Sequence, residues 1–170
     1  MRTPPRRTRG FTLVELLACI AVLAIAGAAA IAALGDRDEE RVRRAEGLFR
    51  ETLATGRLLA ARNPARTIVV EVDPDGDAWW LADATSPGVP LARSEAAHGL
   101  EGLARVRLGE GTADGLDAVR VRLDGSLRLD RYGGLDAAGD ATVRFVAGDQ
   151  TRAITVRRST GTAVSAAHTP

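Results

Sequence analysis

Near its amino terminus the chain runs Arg7-Thr8-Arg9-Gly10-Phe11-Thr12-Leu13-Val14-Glu15-Leu16-Leu17, a junction between charge and hydrocarbon around which the rest of the sequence is organised. Before the junction, residues 1–10 carry Arg2, Arg6, Arg7 and Arg9, two prolines and no acid. After it, from Phe11 to Leu34, only Thr12, Glu15 and Gly27 interrupt an apolar run. As a helix rising about 1.5 Å per residue that run would be roughly 36 Å long, enough to cross a hydrocarbon core of about 30 Å. Asp36-Arg37-Asp38-Glu39-Glu40-Arg41 then ends it abruptly. A basic flank holds its end of a span in the cytoplasm and sends the following residues across the membrane. An ordinary secretory h-region is about 7 to 15 residues, so the length favours a membrane span over a plain signal peptide.

Two residues inside this run need an account. Leu16-Leu17-Ala18-Cys19 has the small-residue-then-Cys form of a lipoprotein signal. A lipidated Cys19 would, however, leave a mature chain that begins with more membrane-grade sequence instead of a polar tether. Cys19 therefore reads as a small apolar residue. Glu15 is the sharper anomaly, because a carboxylate inside a span costs about 2.5 to 3.5 kcal/mol and calls for a partner, a function or a route to the interface.

The basic leader, the small Gly10, the aromatic Phe11, the acid four residues later and the apolar run behind it resemble, in that order, the prepilin signal of type IV pilins and type II secretion pseudopilins. The resemblance implies that a membrane prepilin peptidase cuts between Gly10 and Phe11 and methylates the new terminus to N-methyl-Phe11. It also gives Glu15 a role in assembly. One chain's carboxylate would pair with the Phe11 amine of a neighbouring subunit in the apolar interior of a filament, where attraction offsets burial only if the geometry is good.

Beyond the span the helical period continues. Val42, Ala45, Leu48, Phe49, Leu53, Leu59 and Ala60 fall near a 3.6-residue repeat, and Pro64 stops it after Asn63. Glu39/Arg43, Glu40/Arg44 and Glu46/Arg50 are acid-before-base pairs at i,i+4, expected on an exposed face. The spacing predicts one helix over about 11–62. From Arg66 the period becomes two. Alternating apolar residues predict strands around 68–72, 78–82, 105–108, 119–123, 127–129, 143–145 and 154–156, with Asp73-Pro74-Asp75-Gly76 as a turn and Asp124-Gly125 as a hairpin turn. Residues 84–103 read as a long loop and 131–140 as a turn region. The fold class is α+β: a long amino-terminal helix, transmembrane in its first half, packed on a mostly antiparallel β-rich head. The expected division is a cleaved leader at 1–10, a transmembrane helix at 11–35, its periplasmic continuation at 36–63 and a globular head at 64–170.

The head resembles the GspH/FimT group of minor pseudopilins and pilins through Leu58-Leu59-Ala60-Ala61-Arg62, Thr67-Ile68-Val69-Val70-Glu71-Val72, Asp75-Gly76-Asp77-Ala78-Trp79-Trp80-Leu81, Val121-Arg122-Leu123-Asp124-Gly125 and Ala153-Ile154-Thr155-Val156-Arg157. This implies a minor pseudopilin of a type II secretion system, at or near the tip of a pseudopilus that supports export of folded proteins. The implied partners are other minor and major pseudopilins, the prepilin peptidase, inner-membrane lipid and the secretion assembly platform, with the head in the periplasm of a bacterial cell. A FimT-like minor pilin of a type IV pilus, with DNA contacts in uptake, is the second reading. A signal-anchored periplasmic interaction domain, left uncut, is the third.

Enzyme chemistry is not legible. His98 and His168 have no acid or nucleophile at motif spacing, and no phosphate loop, nucleophile elbow or zinc motif occurs. Asp73, Asp75 and Asp77 lack the Gly and Glu spacing of a calcium loop and read as a polar turn. No cofactor or metal is expected. Of Trp79 and Trp80, which face opposite ways on a strand, one belongs in the core and the other is candidate contact area for a partner. Arg120, Arg122, Arg128, Arg144, Arg157 and Arg158, with Arg152, are the candidate phosphate contacts for the pilus reading. All 23 basic residues are Arg and 22 acids oppose them, for a net charge of +1. Loss of Arg2, Arg6, Arg7 and Arg9 with the leader turns +1 into −3, which favours protein partners over nucleic acid.

Overall fold

The computed structural model describes residues 13–91 and 104–165, with the side chains of residues 30–36 and 112 outside that description. Gly10, Phe11, His98 and His168 therefore lie outside the described residues. The chain forms two compact units, Met1–Asp36 and Arg37–Pro170.

Helix α1 (Leu13–Arg62) is the expected helix. In the first unit its side chains from Leu13 to Ala29 are exposed. Among the described residues no helix is long and apolar enough to cross a membrane. Of the expected span over 11–35, residues 11 and 12 and the side chains of 30–35 lie outside the described residues.

In the second unit α1 buries one stripe. Val42, Ala45, Phe49, Leu53, Leu59 and Ala60 are in the core, while Glu39, Glu40, Arg43 and Arg44 stay in solvent. Asn63 N–H bonds the Leu59 carbonyl as the helix closes ahead of Pro64. Gly56 is required where helix and sheet come closest, because a Cβ there would lie 2.8 Å from both Leu129 Cδ1 and Leu81 Cδ2.

Nine strands follow among the described residues. They are β1 (Ile68–Val72), β2 (Ala78–Asp83), β3 (Ser86–Pro90), β4 (Arg105–Arg107), β5 (Arg120–Asp124), β6 (Leu127–Leu129), β7 (Ala141–Ala147), β8 (Gln150–Val156) and β9 (Ala163–Ser165). Every pairing is antiparallel. One sheet runs β3-β2-β1-β6, with β4 pairing the same edge of β2 as β3, and the other runs β5-β7-β8-β9. The inner faces of both sheets and the α1 stripe share one apolar core, with Phe49 at its centre. The Phe49 ring meets Trp79 edge-on at 5.5 Å and Phe145 at 5.7 Å, joining the helix to one residue from each sheet.

The strand expectations need two corrections. Asp124-Gly125 is not a hairpin turn: β5 pairs β7 in the second sheet, whereas β6 pairs β1 in the first. The turn carries the chain from one sheet to the other, with Gly125 at φ 102° against Ala141. The expected loop over 84–103 contains β3, a proline-bearing edge strand whose register to β2 shifts between Ala82 and Asp83. Residues 92–103 lie outside the described residues.

Candidate functional site

Glu15 occupies the first turn of α1, where a carboxylate also complements the positive end of the helix dipole. Around it Leu13, Val14, Leu16 and Leu17 are exposed, so the acid sits on a helical surface that is hydrocarbon on all sides. Cys19 is exposed on the same segment. Such a surface is stable only in an apolar surrounding that the described residues of this chain do not supply.

The two tryptophans separate. Trp79 is fully buried, and its indole N–H donates to Thr52 Oγ1 at 3.0 Å, while that hydroxyl donates to the Leu48 carbonyl at 3.0 Å. Trp79 is thus a core residue with its polar atom satisfied, out of reach of a partner. Trp80 is half-buried, and its indole N–H donates to the Pro87 carbonyl at 2.9 Å, which holds β3 against β2.

The six candidate arginines also separate. Arg120, Arg122 and Arg144 are exposed on the outer face of the second sheet. Arg128 is exposed on the first sheet, opposite Val69 of β1. Arg157 and Arg158 are exposed in the turn after β8, with Arg158 N–H donating to Asp140 Oδ1 at 2.7 Å. They do not form one stripe that could track a phosphate backbone. Arg152, on β8, faces Glu46 instead, at 3.3 Å.

Glu46 is the functional-looking residue that sequence reasoning misplaced. Expected on an exposed face, it is 8% exposed and gathers partners from three elements. Arg50 Nη2 donates to its Oε1 at 2.7 Å, Arg152 Nη1 to its Oε2 at 3.3 Å and Ser165 Oγ to its Oε1 at 3.3 Å. Arg50 in turn donates to the Ala163 carbonyl at 3.0 Å. The cluster fastens β8 and β9 to α1, a structural role. The Glu39–Arg43 pair forms as expected at 2.7 Å, but Glu40 lies 3.7 Å from Arg43, and Arg44 donates to the Asp114 carbonyl at 3.1 Å.

Asp83, at the end of β2, is held well below the usual carboxylate range, at about 2, by the Thr85 backbone N–H first, then the Thr85 hydroxyl and the Arg66 guanidinium. Asp73 accepts the Asp75 N–H at 3.0 Å, an Asx turn in keeping with the polar-turn reading.

Comparison with protein families matches residues 5–31 to the family described as the prokaryotic N-terminal methylation motif. No curated protein and no solved structure matches the chain. The matched residues contain the Gly10-Phe11 junction and Glu15, and the motif is the type IV pilin-like signal. It supports the type IV pilin and pseudopilin class, implies processing by a prepilin peptidase and assembly with other pilins, and points to a structural subunit instead of an enzyme.

Proposed function

We propose that this chain is a membrane-anchored subunit of a type IV pilin-like filament and, within that class, a minor pseudopilin of a type II secretion system placed at or near the pseudopilus tip. The observation that carries the reading is the methylation motif at residues 5–31, which overlaps the start of α1 from Leu13 onward. Cleavage between Gly10 and Phe11 removes the basic leader, and residues 11–35 hold the subunit in the inner membrane with the head in the periplasm. The same surface then serves twice: lipid satisfies it before assembly, and neighbouring helices satisfy it afterwards. The secretion-type placement rests on the resemblance of the head to the GspH/FimT group. The spread of the candidate arginines over three surfaces makes the DNA-uptake alternative the weaker of the two.

Glu15 is the assembly residue in this reading. In a filament interior its charge is offset by the N-methyl-Phe11 amine of the next subunit. A Glu15→Leu chain is expected to be cut and methylated normally but excluded from filaments, as read by shearing and fractionation. Incorporation of Glu15→Leu at the wild-type level would refute the pairing.

A further inference from the structure

Two arginines of α1, Arg50 and Arg57, wall one open cavity of about 210 Å³ with Leu53 and Ala54 of the helix and Gly161 and Ala163 at the entry to β9. Their surroundings differ. Arg50 is engaged by its own chain, donating to Glu46, to the Ala163 carbonyl and to Ser165 Oγ. Arg57 is half-buried and forms no ion pair among the described residues. Its Nε–H is shut in without an acceptor. Packing fixes it there. Gly133 and Gly161, both at positive φ, bring two turns onto the side chain, so that a Cβ at Gly133 would lie 3.2 Å from Arg57 Nε and one at Gly161 3.6 Å from its Cδ.

No acid lines the cavity. The carboxylates of the adjoining elements are committed elsewhere. Glu46 takes Arg50, Arg152 and Ser165, and Asp130 takes the backbone N–H groups of Tyr132 and Gly134. Asp140 accepts the Arg158 N–H, and Glu51 is exposed beside Thr55 and Leu58 in a separate groove. The side chains of Arg157 and Arg158, exposed in the turn ahead of Gly161, add positive charge. A guanidinium held in place with a buried donor unmet is costly unless something outside the chain answers it.

We propose that this cavity binds a carboxylate carried by another subunit of the filament, an Asp or Glu side chain that pairs with Arg57. A guanidinium matches a carboxylate in shape as well as charge. Leu53, Ala54 and Ala163 supply an apolar wall for the methylene stem behind the acid. The volume lies below the roughly 300–1,000 Å³ of sites that enclose whole small molecules, so it suits a single side chain. A nucleic-acid backbone needs a row of free cations, whereas Arg50 is already engaged and Arg57 alone is open to pairing here. The inference rests on the filament reading and names the chemistry by which the head takes a neighbour. A subunit at or near the tip has other chains beside it, so the acid is not assigned to a copy of this one.

The test uses the full chain in detergent micelles and N-acetyl-glutamyl amide, whose side-chain carboxylate is its only charge. Binding is read by NMR from the probe's acetyl methyl signal and from the Arg57 Nε–H resonance. Saturable binding is expected, and N-acetyl-glutaminyl amide should bind at least about tenfold more weakly. Arg57→Gln should abolish binding. Ala54→Glu should do the same from an exposed helical position, because it supplies a carboxylate three residues before Arg57, while Ala54→Gln should bind within about threefold of wild type. No saturable binding, equal binding of the glutaminyl probe, or full binding by Ala54→Glu overturns the site. Tighter binding of inorganic phosphate or of a short DNA duplex than of the glutamyl probe assigns the cavity to a polyanion and overturns it too. In cells, Ala54→Glu should fall at least about fivefold in sheared filament fractions while still being cut before Phe11. Wild-type incorporation of Ala54→Glu overturns the contact and leaves the filament reading standing. A wild-type chain missing from those fractions overturns the filament reading itself.

Discussion

The two halves of α1 are made of similar apolar side chains and meet opposite surroundings. Leu13, Leu23 and Ile25 are 75%, 71% and 71% exposed, whereas Val42, Ala45 and Phe49 are at 0%. The difference lies in arrangement more than in hydrophobicity. The second half alternates its apolar stripe with Glu39, Arg43 and Glu51, so one face seeks the sheets and the other seeks water. The first half is apolar all round, and a helix of that kind needs a surrounding solvent of hydrocarbon, whether lipid or other helices. One continuous helix therefore contains a segment whose stability is intramolecular and a segment whose stability comes from outside the chain.

Substitutions should break along the same line. The largest effect is expected at Phe49, which joins the helix to Trp79 and Phe145. Phe49→Ala should cost about 3–5 kcal/mol in denaturant unfolding followed by tryptophan fluorescence. Leu17→Ala should leave the same transition unmoved; a comparable loss at Leu17 would erase the distinction between the halves. Next comes Gly56→Val, which forces a side chain into the 2.8 Å approach to Leu81 and Leu129 and should cost about 1–3 kcal/mol in the same assay.

The smallest effect is one of pH and belongs to the packed unit alone. The Asp83 carboxyl sits at about 2 in the folded chain, below its unfolded value of about 3.9. A depressed folded value contributes stability above the unfolded one and loses it as pH falls from about 4 toward 2. Asp83→Asn should therefore flatten the acid limb of the stability curve in that window and leave its shape above pH 5 unchanged. An unaltered acid limb would show that Thr85 and Arg66 do not hold the charge.

The sequence made the helix and most strands legible because each follows a period: 3.6 through Val42, Ala45 and Phe49, two through Ile68, Val70 and Val72. β3 was hidden because Pro87, Gly88 and Pro90 carry loop chemistry, and what holds this edge is a distant indole, Trp80, bonded to the Pro87 carbonyl. β9 was hidden because Ala163, Val164 and Ser165 do not alternate apolar with polar residues. It is fixed by Arg50 from α1 and by pairing with β8, long-range contacts with no local signal. Strand partners were hidden for the same reason: Asp124-Gly125 has hairpin chemistry, yet Leu127 and Leu129 find β1. Glu46 looked like an exposed i,i+4 partner of Arg50, since spacing alone cannot reveal Arg152 and Ser165 arriving from the other side. The motif over residues 5–31, by contrast, was readable without any fold, because it is a linear pattern of residue types.

The contrast between the halves of α1 therefore turns on where the mature chain begins. Mass spectrometry of the amino-terminal peptide of the protein isolated from its membrane tests this most directly. The account predicts a chain that starts at N-methyl-Phe11, with the four leader arginines gone. A chain that still begins at Met1, or one acylated at Cys19, would contradict it.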